Sequence, residues 1–224
     1  MPAPSHRRPI RPRQVPTGSE GWSMPWVQIK YYNFHPNFFP NMIMAASPDA
    51  KRGDTVTVYD KEGKPFGHGF FSPGARVPLR VFRHGAEPLD PDHFTKALRQ
   101  AVDLRLKTLG LPQQTDAFRV VHADADGIPG LMVDKFGEVL AVELSNASAL
   151  QRAGEWIPLL HELLGTTRAV VHFDDAPIRA EAGAAPSSGT GQSTQRSGGG
   201  HENHRERHAV PCELCRRPQD GFLL

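Results

Sequence analysis

The sequence has few cysteines and no long hydrophobic run. Only two of its 224 residues are Cys, which excludes a disulfide-stabilised scaffold. The longest stretch without Asp, Glu, Lys or Arg covers residues 31–48, but it contains three Pro and three Asn, so it cannot cross a bilayer as a helix. We therefore expect a cytoplasmic protein without a membrane partner.

A strong excess of charge of one sign is also absent, because the net charge of the whole chain is only +2. The segments differ, however: residues 26–85 carry a net +4 and residues 86–179 a net −5. A basic segment followed by an acidic one is expected when one module binds a polyanion and its neighbour does not. A solvated basic surface is the alternative interpretation of the same counts.

The two ends of the chain lack the apolar residues that a folded core needs. Residues 1–25 contain six Pro and four Arg, and residues 180–224 contain only five large apolar residues. Both segments are predicted to be disordered. Translation starts at Met1 or at Met24, directly before the first strand-like run. This leaves residues 26–179 as the folded region, with one or two small cores.

Residues 26–85 have the pattern of a small β-barrel. Strand-like runs cover 26–31, 53–60, 67–71 and 77–82, and Gly- or Pro-containing turns separate the last three of them. In the second run, Val56 and Val58 alternate with Thr55 and Thr57, as in a strand that buries one face. Short strands at this spacing are typical of a small barrel or sandwich.

Residues 86–179 mix helices with strands. Asp90 and Pro91 predict a helix start, with Asp90 as the N-cap, and apolar residues then recur at helical spacing at Phe94, Leu98, Val102, Leu106 and Leu109. Strands are predicted near 118–122, 130–136, 139–145 and 169–173, with a helix over 149–164 that Pro158 bends or restarts. The fold class is therefore α+β, with an antiparallel sheet after the barrel.

Several runs resemble one family of enzymes, in the order and at the spacing in which that family has them. They are 35–39 (HPNFF), 53–73 (GDTVTVYDKEGKPFGHGFFSP), 78–82 (PLRVF) and 118–137 (FRVVHADADGIPGLMVDKFG). These runs are similar to the PUA-like domain and the following central domain of bacterial S-adenosylmethionine-dependent 23S rRNA cytosine-C5 methyltransferases. The resemblance implies a PUA-like RNA-binding domain at 26–85, a linker helix and central α+β domain at 86–179, and large-subunit rRNA as the partner.

The same resemblance points to cations of the PUA-like segment as the RNA contacts. An individual surface cation is more often a plain solvated charge, but on an RNA-binding module it can hold phosphate. The predicted RNA-binding residues are Lys30, Lys51, Arg52, Lys61, Lys64, Arg76, Arg80 and Arg83. Nearby aromatic residues could stack on bases, although most are expected to pack into the core: Trp26, Tyr31, Tyr32, Phe34, Phe38 and Phe39.

In the family, a Rossmann-like domain follows that binds S-adenosylmethionine and carries the catalytic Cys. No succession of strand, Gly-rich turn and helix follows Arg179 here, so we expect no catalytic residue and no cofactor in this chain. The change of composition after Arg179 is typical of translation in a wrong frame, and a natural disordered tail is the alternative. The predicted function is the RNA-binding and spacer portion of a methyltransferase-like protein, truncated and unable to transfer methyl groups alone. The alternative is a stand-alone RNA-binding adaptor.

Two further groups of residues could bind a metal ion. Asp124, Asp126 and Asp134, with Asp174 and Asp175, form a carboxylate-rich group, but the first two lie in a run of Asp, Gly and Pro that is typical of turns. Cys212 and Cys215 follow His201, His204 and His208, a set able to hold zinc. The spacing is only loosely finger-like and no apolar pattern surrounds it, so we predict no metal site.

Overall fold

A computed structural model describes residues 16–31 and 35–173 of the chain. The predictions for residues 1–15, for Tyr32 and Phe34, and for everything after Phe173 lie outside the described residues. They include the disordered tail, the carboxylates of Asp174 and Asp175, and the proposed zinc ligands. Within the described ranges, no helix is both long and apolar enough to cross a membrane.

The barrel lobe, defined here as residues 16–31 and 35–85, is built on a curled six-stranded sheet. The strand order is β2-β6-β5-β4-β1-β3, and β1 and β4 run parallel while the other neighbours are antiparallel. Val56 and Val58 lie in the core of this lobe, as their alternation predicted. The strands are β1 (Trp26–Ile29), β2 (Asn37–Phe38), β3 (Ile43–Ala46), β4 (Asp54–Tyr59), β5 (Pro65–Phe71) and β6 (Leu79–His84).

Glycines allow β5 and β6 to approach closely. A Cβ atom added to Gly67 would lie 2.1 Å from the carbonyl oxygen of Arg83, and one added to Gly69 would lie 2.8 Å from that of Arg80. A side chain at either position would collide with the partner strand's backbone, which cannot move without breaking the ladder. The Gly-His-Gly run in the sequence is therefore a packing requirement of this strand pair.

The barrel lobe includes part of the segment that the sequence assigned to a disordered leader. The Trp22 ring stacks on Tyr59 at 4.2 Å and meets Trp26 edge-on at 4.9 Å between ring centroids. The backbone N–H of Ser23 donates to the Tyr59 hydroxyl at 2.9 Å. The ordered region therefore begins before residue 26, because Trp22 buries apolar surface against an aromatic pair that a sequence pattern does not reveal.

The α/β lobe, residues 86–173, confirms the α+β class and shows one difference from the predicted sheet. Its strand order is β10-β9-β8-β7, and β7, β8 and β9 are antiparallel as expected, but β10 runs parallel to β9. The helix between them carries the chain back to the end of the sheet where β9 began, which makes a parallel pair. The elements are α1 (His93–Asp103), β7 (Ala117–His122), β8 (Leu131–Phe136), β9 (Val139–Leu144), α2 (Ala147–Leu164) and β10 (Arg168–Phe173).

The two helices differ from the sequence prediction in detail. Helix α1 begins at His93, so Asp92 rather than Asp90 occupies the N-cap position. The Asp90 carboxylate instead accepts the N–H of Asp92 at 2.9 Å and pairs with Lys96. After α1 the chain makes a π-helical turn, Leu104–Thr108, and this change of period leaves Leu109 half exposed. Helix α2 continues through Pro158 without restarting.

The core of the α/β lobe extends into the barrel lobe. Phe70 of β5 belongs to the same buried cluster as Leu98 of α1 and Trp156 of α2. Its ring stacks on Phe94 at 5.2 Å and lies 4.9 Å from Phe82. Since these aromatic contacts join β5 and β6 to both helices, the lobes are held together by buried apolar surface.

Candidate nucleic-acid interface

The eight predicted RNA-binding cations all lie on the barrel lobe, but they are not equivalent. Lys51, Lys61, Lys64 and Arg76 are exposed, whereas Lys30, Arg52, Arg80 and Arg83 are half-buried. They are spread over the end of β1, the β3–β4 loop, the β4–β5 turn, the β5–β6 loop and β6. The structure therefore brings some of them together and gives others a role within the fold.

Three of the eight cations are occupied by contacts inside the protein. The Lys64 ammonium lies 3.0 Å from a Glu62 carboxylate oxygen, and that hydrogen bond and charge raise the pKa of Lys64. The Arg80 guanidinium donates to the Val77 carbonyl and the Arg83 guanidinium to the Pro88 carbonyl, each at 3.3 Å. A side chain held in this way is less available to a phosphate, so these three are the weakest candidates.

The other five cations have no carboxylate partner among residues 16–31 and 35–173: Lys30, Lys51, Arg52, Lys61 and Arg76. Lys30 and Lys61 come from distant parts of the sequence but flank the same side chain. The Gln28 amide donates to the carbonyls of Asp60 at 3.1 Å and Lys61 at 3.4 Å, and Gln28 lies two residues before Lys30. These bonds tie the end of β1, close to Lys30, to the β4–β5 turn that carries Lys61.

Lys51 and Arg52 lie where the barrel lobe meets α2. The Gln151 amide donates to the Arg52 carbonyl at 3.1 Å. A cavity of about 440 Å³ opens here, and its lining includes Lys51 but also Asp49 and Asp54. Two carboxylates beside the cations cancel much of the positive potential, so this cavity is a poor site for phosphate.

Arg152 of α2 is a residue that the sequence interpretation missed, and it joins the two lobes. Its guanidinium donates to the Gly53 carbonyl at 3.2 Å and to the Thr55 hydroxyl at 2.8 Å. It also lies over the Phe70 ring, 4.8 Å from the centroid, and burial lowers its pKa. Helical spacing could have indicated this role. Arg152 lies three residues after Ala149 and four before Trp156, on the face that α2 buries.

The aromatic residues divide into core and surface. Trp26 and Phe38 are buried, which confirms the expectation for them. The expectation is wrong for Tyr31 and Phe39, which are 60% and 43% exposed. Tyr31 lies two residues after the end of β1, and Phe39 directly follows β2. Both therefore lie where a strand has ended and the barrel no longer covers the side chain.

Two acidic residues of the predicted carboxylate group, Asp126 and Asp134, form ion pairs with arginines. The Asp126 carboxylate binds the Arg105 guanidinium through two bonds of 2.6 and 2.9 Å, and both side chains are nearly buried, at 9% and 12% exposed. Asp134 binds Arg119 at 2.8 and 2.9 Å, and this hydrogen bond lowers the pKa of Asp134. No group of three or more potential metal ligands occurs among the described residues. Asp126 and Asp134 thus hold arginine side chains within the fold.

Cofactors such as S-adenosylmethionine bind at the turn between a strand and a helix of a parallel unit, which in the described chain is β9-α2-β10. Here the turn is filled by the protein itself. The buried Asn146 side chain accepts the Ala149 N–H at 2.8 Å and donates to the Pro129 carbonyl at 3.0 Å. It leaves no room even for a Cβ on Gly130, which would lie 1.9 Å from the Asn146 amide nitrogen. The residues at this turn do not fit the cofactor.

Comparison with known proteins finds one family model and several curated relatives that match parts of this chain. The PUA-like domain matches residues 27–84. Ribosomal RNA large subunit methyltransferase I of Alteromonas mediterranea is 30% identical over 156 residues, which cover 69% of this chain and 39% of that protein. The protein of the same name from Salmonella arizonae is also 30% identical, over 69% of this chain and 38% of its own length. The chain therefore spans about two fifths of the length of these curated relatives.

Solved structures share the fold. A protein described as a methyltransferase, crystallised with S-adenosylhomocysteine, superposes with a TM-score of 0.54 at 16% identity, over 67% of this chain and 40% of its own. A protein described as an S-adenosylmethionine-dependent methyltransferase from Streptococcus mutans gives a TM-score of 0.50 at 15% identity, over 66% and 40%. The predicted resemblance to the PUA-like N-terminal region of the rRNA methyltransferases is confirmed.

Proposed function

We propose that this chain, which is similar to the PUA-like N-terminal region of large-subunit ribosomal RNA methyltransferases, binds RNA through its barrel lobe. The observation that carries the proposal is the set of barrel cations without a carboxylate partner among the described residues, of which Lys30, Lys61 and Arg76 lie away from the acidic cavity. Phosphates attract such cations and release counterions on binding. The α/β lobe acts as a spacer that Arg152 and Phe70 hold against the barrel.

The relatives are named as methyltransferases of large-subunit ribosomal RNA, which supports this RNA as the partner class. We further propose that the protein acts in the cytoplasm, and that RNA held by the barrel is presented for methyl transfer to cytosine C5. Residues 16–31 and 35–173 contribute RNA binding and orientation to this activity.

The test is RNA binding measured by fluorescence anisotropy with fragments of 23S rRNA. The variant Lys30→Glu/Lys61→Glu/Arg76→Glu replaces three uncompensated cations without touching the core. Losing three phosphate contacts is expected to weaken binding by about tenfold or more at about 0.1 M salt. Equal affinity of the variant and the parent chain would overturn the proposal.

A matched variant controls for the change in net charge. Arg99→Glu/Lys107→Glu/Arg168→Glu alters three exposed cations of the α/β lobe and changes the net charge by the same amount. We expect it to bind RNA nearly as well as the parent. At about 0.1 M salt, charges more than about 10 Å apart are largely screened from each other, so cations on the other lobe contribute little to phosphates held at the barrel. Equal losses in both variants would point to nonspecific attraction by the whole chain and would contradict a barrel-lobe site.

A further inference from the structure

Tyr31 is the most exposed large aromatic residue among the described parts of the chain, at 60% of its surface. Other aromatic residues nearby on the barrel are engaged with one another: Trp22 stacks on Tyr59 and meets Trp26 edge-on. Tyr31 makes no ring contact with another described residue. A single exposed aromatic residue is common on protein surfaces, so its surroundings decide whether the ring can bind a ligand.

Two cations lie in the same part of the barrel lobe as Tyr31. The backbone N–H of the preceding residue, Lys30, donates to the Met42 carbonyl at 2.8 Å, which fixes the end of β1 against the segment leading into β3. The β4–β5 turn is tied to the same end of β1 through Gln28, whose amide donates to the Lys61 carbonyl. The Tyr31 patch is defined here as Lys30, Tyr31 and Lys61.

The charges of the Tyr31 patch favour an anionic ligand. Neither Lys30 nor Lys61 has a carboxylate partner within the described ranges. The adjoining turn adds one carboxylate without a cationic partner among the described residues, Asp60, which accepts the N–H groups of Glu62 and Lys64 at 2.8 and 2.9 Å, while Glu62 pairs with Lys64. Two ammonium groups beside one such carboxylate still leave a net positive charge. Among residues 16–31 and 35–173, the Tyr31 ring thus has no aromatic partner and the two ammonium groups have no carboxylate partner. Lys30 and Lys61 follow the neighbouring strands β1 and β4.

We infer that the Tyr31 patch binds unpaired nucleotides of RNA, with a base stacked on the Tyr31 ring and the adjoining phosphates on Lys30 and Lys61. This inference rests on the proposed RNA-binding function and names the form of RNA that the barrel recognises. A duplex hides the faces of its bases, so it can use the two cations but not the ring. Stacking on an aromatic side chain requires an unpaired base and tolerates any base identity.

The experiment compares a fluorescein-labelled single-stranded RNA decamer with a duplex of the same length, using the full chain and anisotropy titrations. Tyr31→Ala is expected to weaken single-strand binding about tenfold and to leave duplex binding unchanged. Tyr31→Trp keeps a stacking surface and is expected to restore the affinity. Phe136→Ala removes an aromatic that is 55% exposed on the α/β lobe, and it should bind as the parent does.

The salt dependence separates stacking from charge. Tyr31→Ala should retain the parent's slope of log K against log salt, because no phosphate contact is lost, whereas Lys30→Glu/Lys61→Glu should reduce it. If the parent binds RNA and Tyr31→Ala binds the single strand equally well, the inference is wrong and the proposed function stands. Preference of the parent for the duplex also overturns the inference. If the parent binds neither RNA, both the inference and the proposed function fail.

Discussion

The two lobes of this molecule use their cations differently. In the barrel lobe, Lys30, Lys61 and Arg76 have no carboxylate partner among the described residues. In the α/β lobe, Arg105 and Arg119 each hold a carboxylate through two short bonds. The net charges of the two segments indicate a contrast between the lobes, and the structure shows which individual cations are paired. Arg105 and Arg119 of the α/β lobe stabilise the fold through these pairs, whereas Lys30, Lys61 and Arg76 of the barrel lobe remain available to a ligand.

The largest expected effect comes from breaking the nearly buried ion pair of the α/β lobe. Arg105→Met leaves the Asp126 carboxylate without its cation in a site where water has little access. Removing one partner of such a pair costs about 3–5 kcal/mol. We expect urea unfolding to show a loss of this order, while RNA affinity of the folded fraction is unchanged. A loss below about 1 kcal/mol would show that the pair behaves as a surface pair.

The next effect concerns the contact between the lobes. Arg152→Met keeps the apolar stem over Phe70 but removes the hydrogen bonds to Gly53 and Thr55. Hydrogen bonds from a charged group contribute about 1.5–3 kcal/mol, so unfolding should become easier by about 2 kcal/mol. Hydrogen exchange should become faster at the start of β4. Arg99→Met, at an exposed position of α1, is the control and should change neither quantity.

The smallest effect is a pH dependence in the partly exposed pair of Arg119 and Asp134. The pKa of Asp134 is lowered by its hydrogen bond to Arg119, so the folded state holds this carboxylate ionised more strongly than the unfolded state does. The resulting stability is present above the unfolded pKa, about 4, and is lost as the pH falls through the folded pKa.

Comparing the parent with Arg119→Ala isolates that contribution. At neutral pH the variant should be less stable by under about 1 kcal/mol, as for other exposed pairs. The difference should shrink as the pH is lowered below about 4. Urea unfolding at several pH values measures it, and a difference that grows on acidification would contradict the assignment.

Local patterns in the sequence predicted much of this fold. The alternation of Val56 and Val58 and the helical spacing of Phe94, Leu98 and Val102 depend on neighbours within one element. The resemblance of the runs at 35–39, 53–73, 78–82 and 118–137 supplied the domain order. Each of these signals is contained in a few consecutive residues, so it can be found before the chain is folded.

The features that the sequence did not reveal depend on distant contacts. Trp22 stacks on Tyr59, which lies 37 residues away in the chain. Arg152 donates a hydrogen bond to Thr55, which lies 97 residues away. The parallel pairing of β10 depends on where α2 returns the chain. At the candidate site, all eight cations were visible in the sequence. Which of them remained free depended on side chains such as Glu62, and the exposure of Tyr31 depended on where β1 ends.

The most direct test of the account is the slope of log K against log salt for RNA binding, measured on the parent and on the two matched charge-reversal variants. For single-stranded RNA the slope changes by about 0.7 for each phosphate contact. We predict that Lys30→Glu/Lys61→Glu/Arg76→Glu lowers the magnitude of the slope by about 2, and that Arg99→Glu/Lys107→Glu/Arg168→Glu leaves it within error of the parent. A barrel variant with the parent's slope, or equal losses in both variants, would contradict the claim that free cations of the barrel lobe hold the RNA.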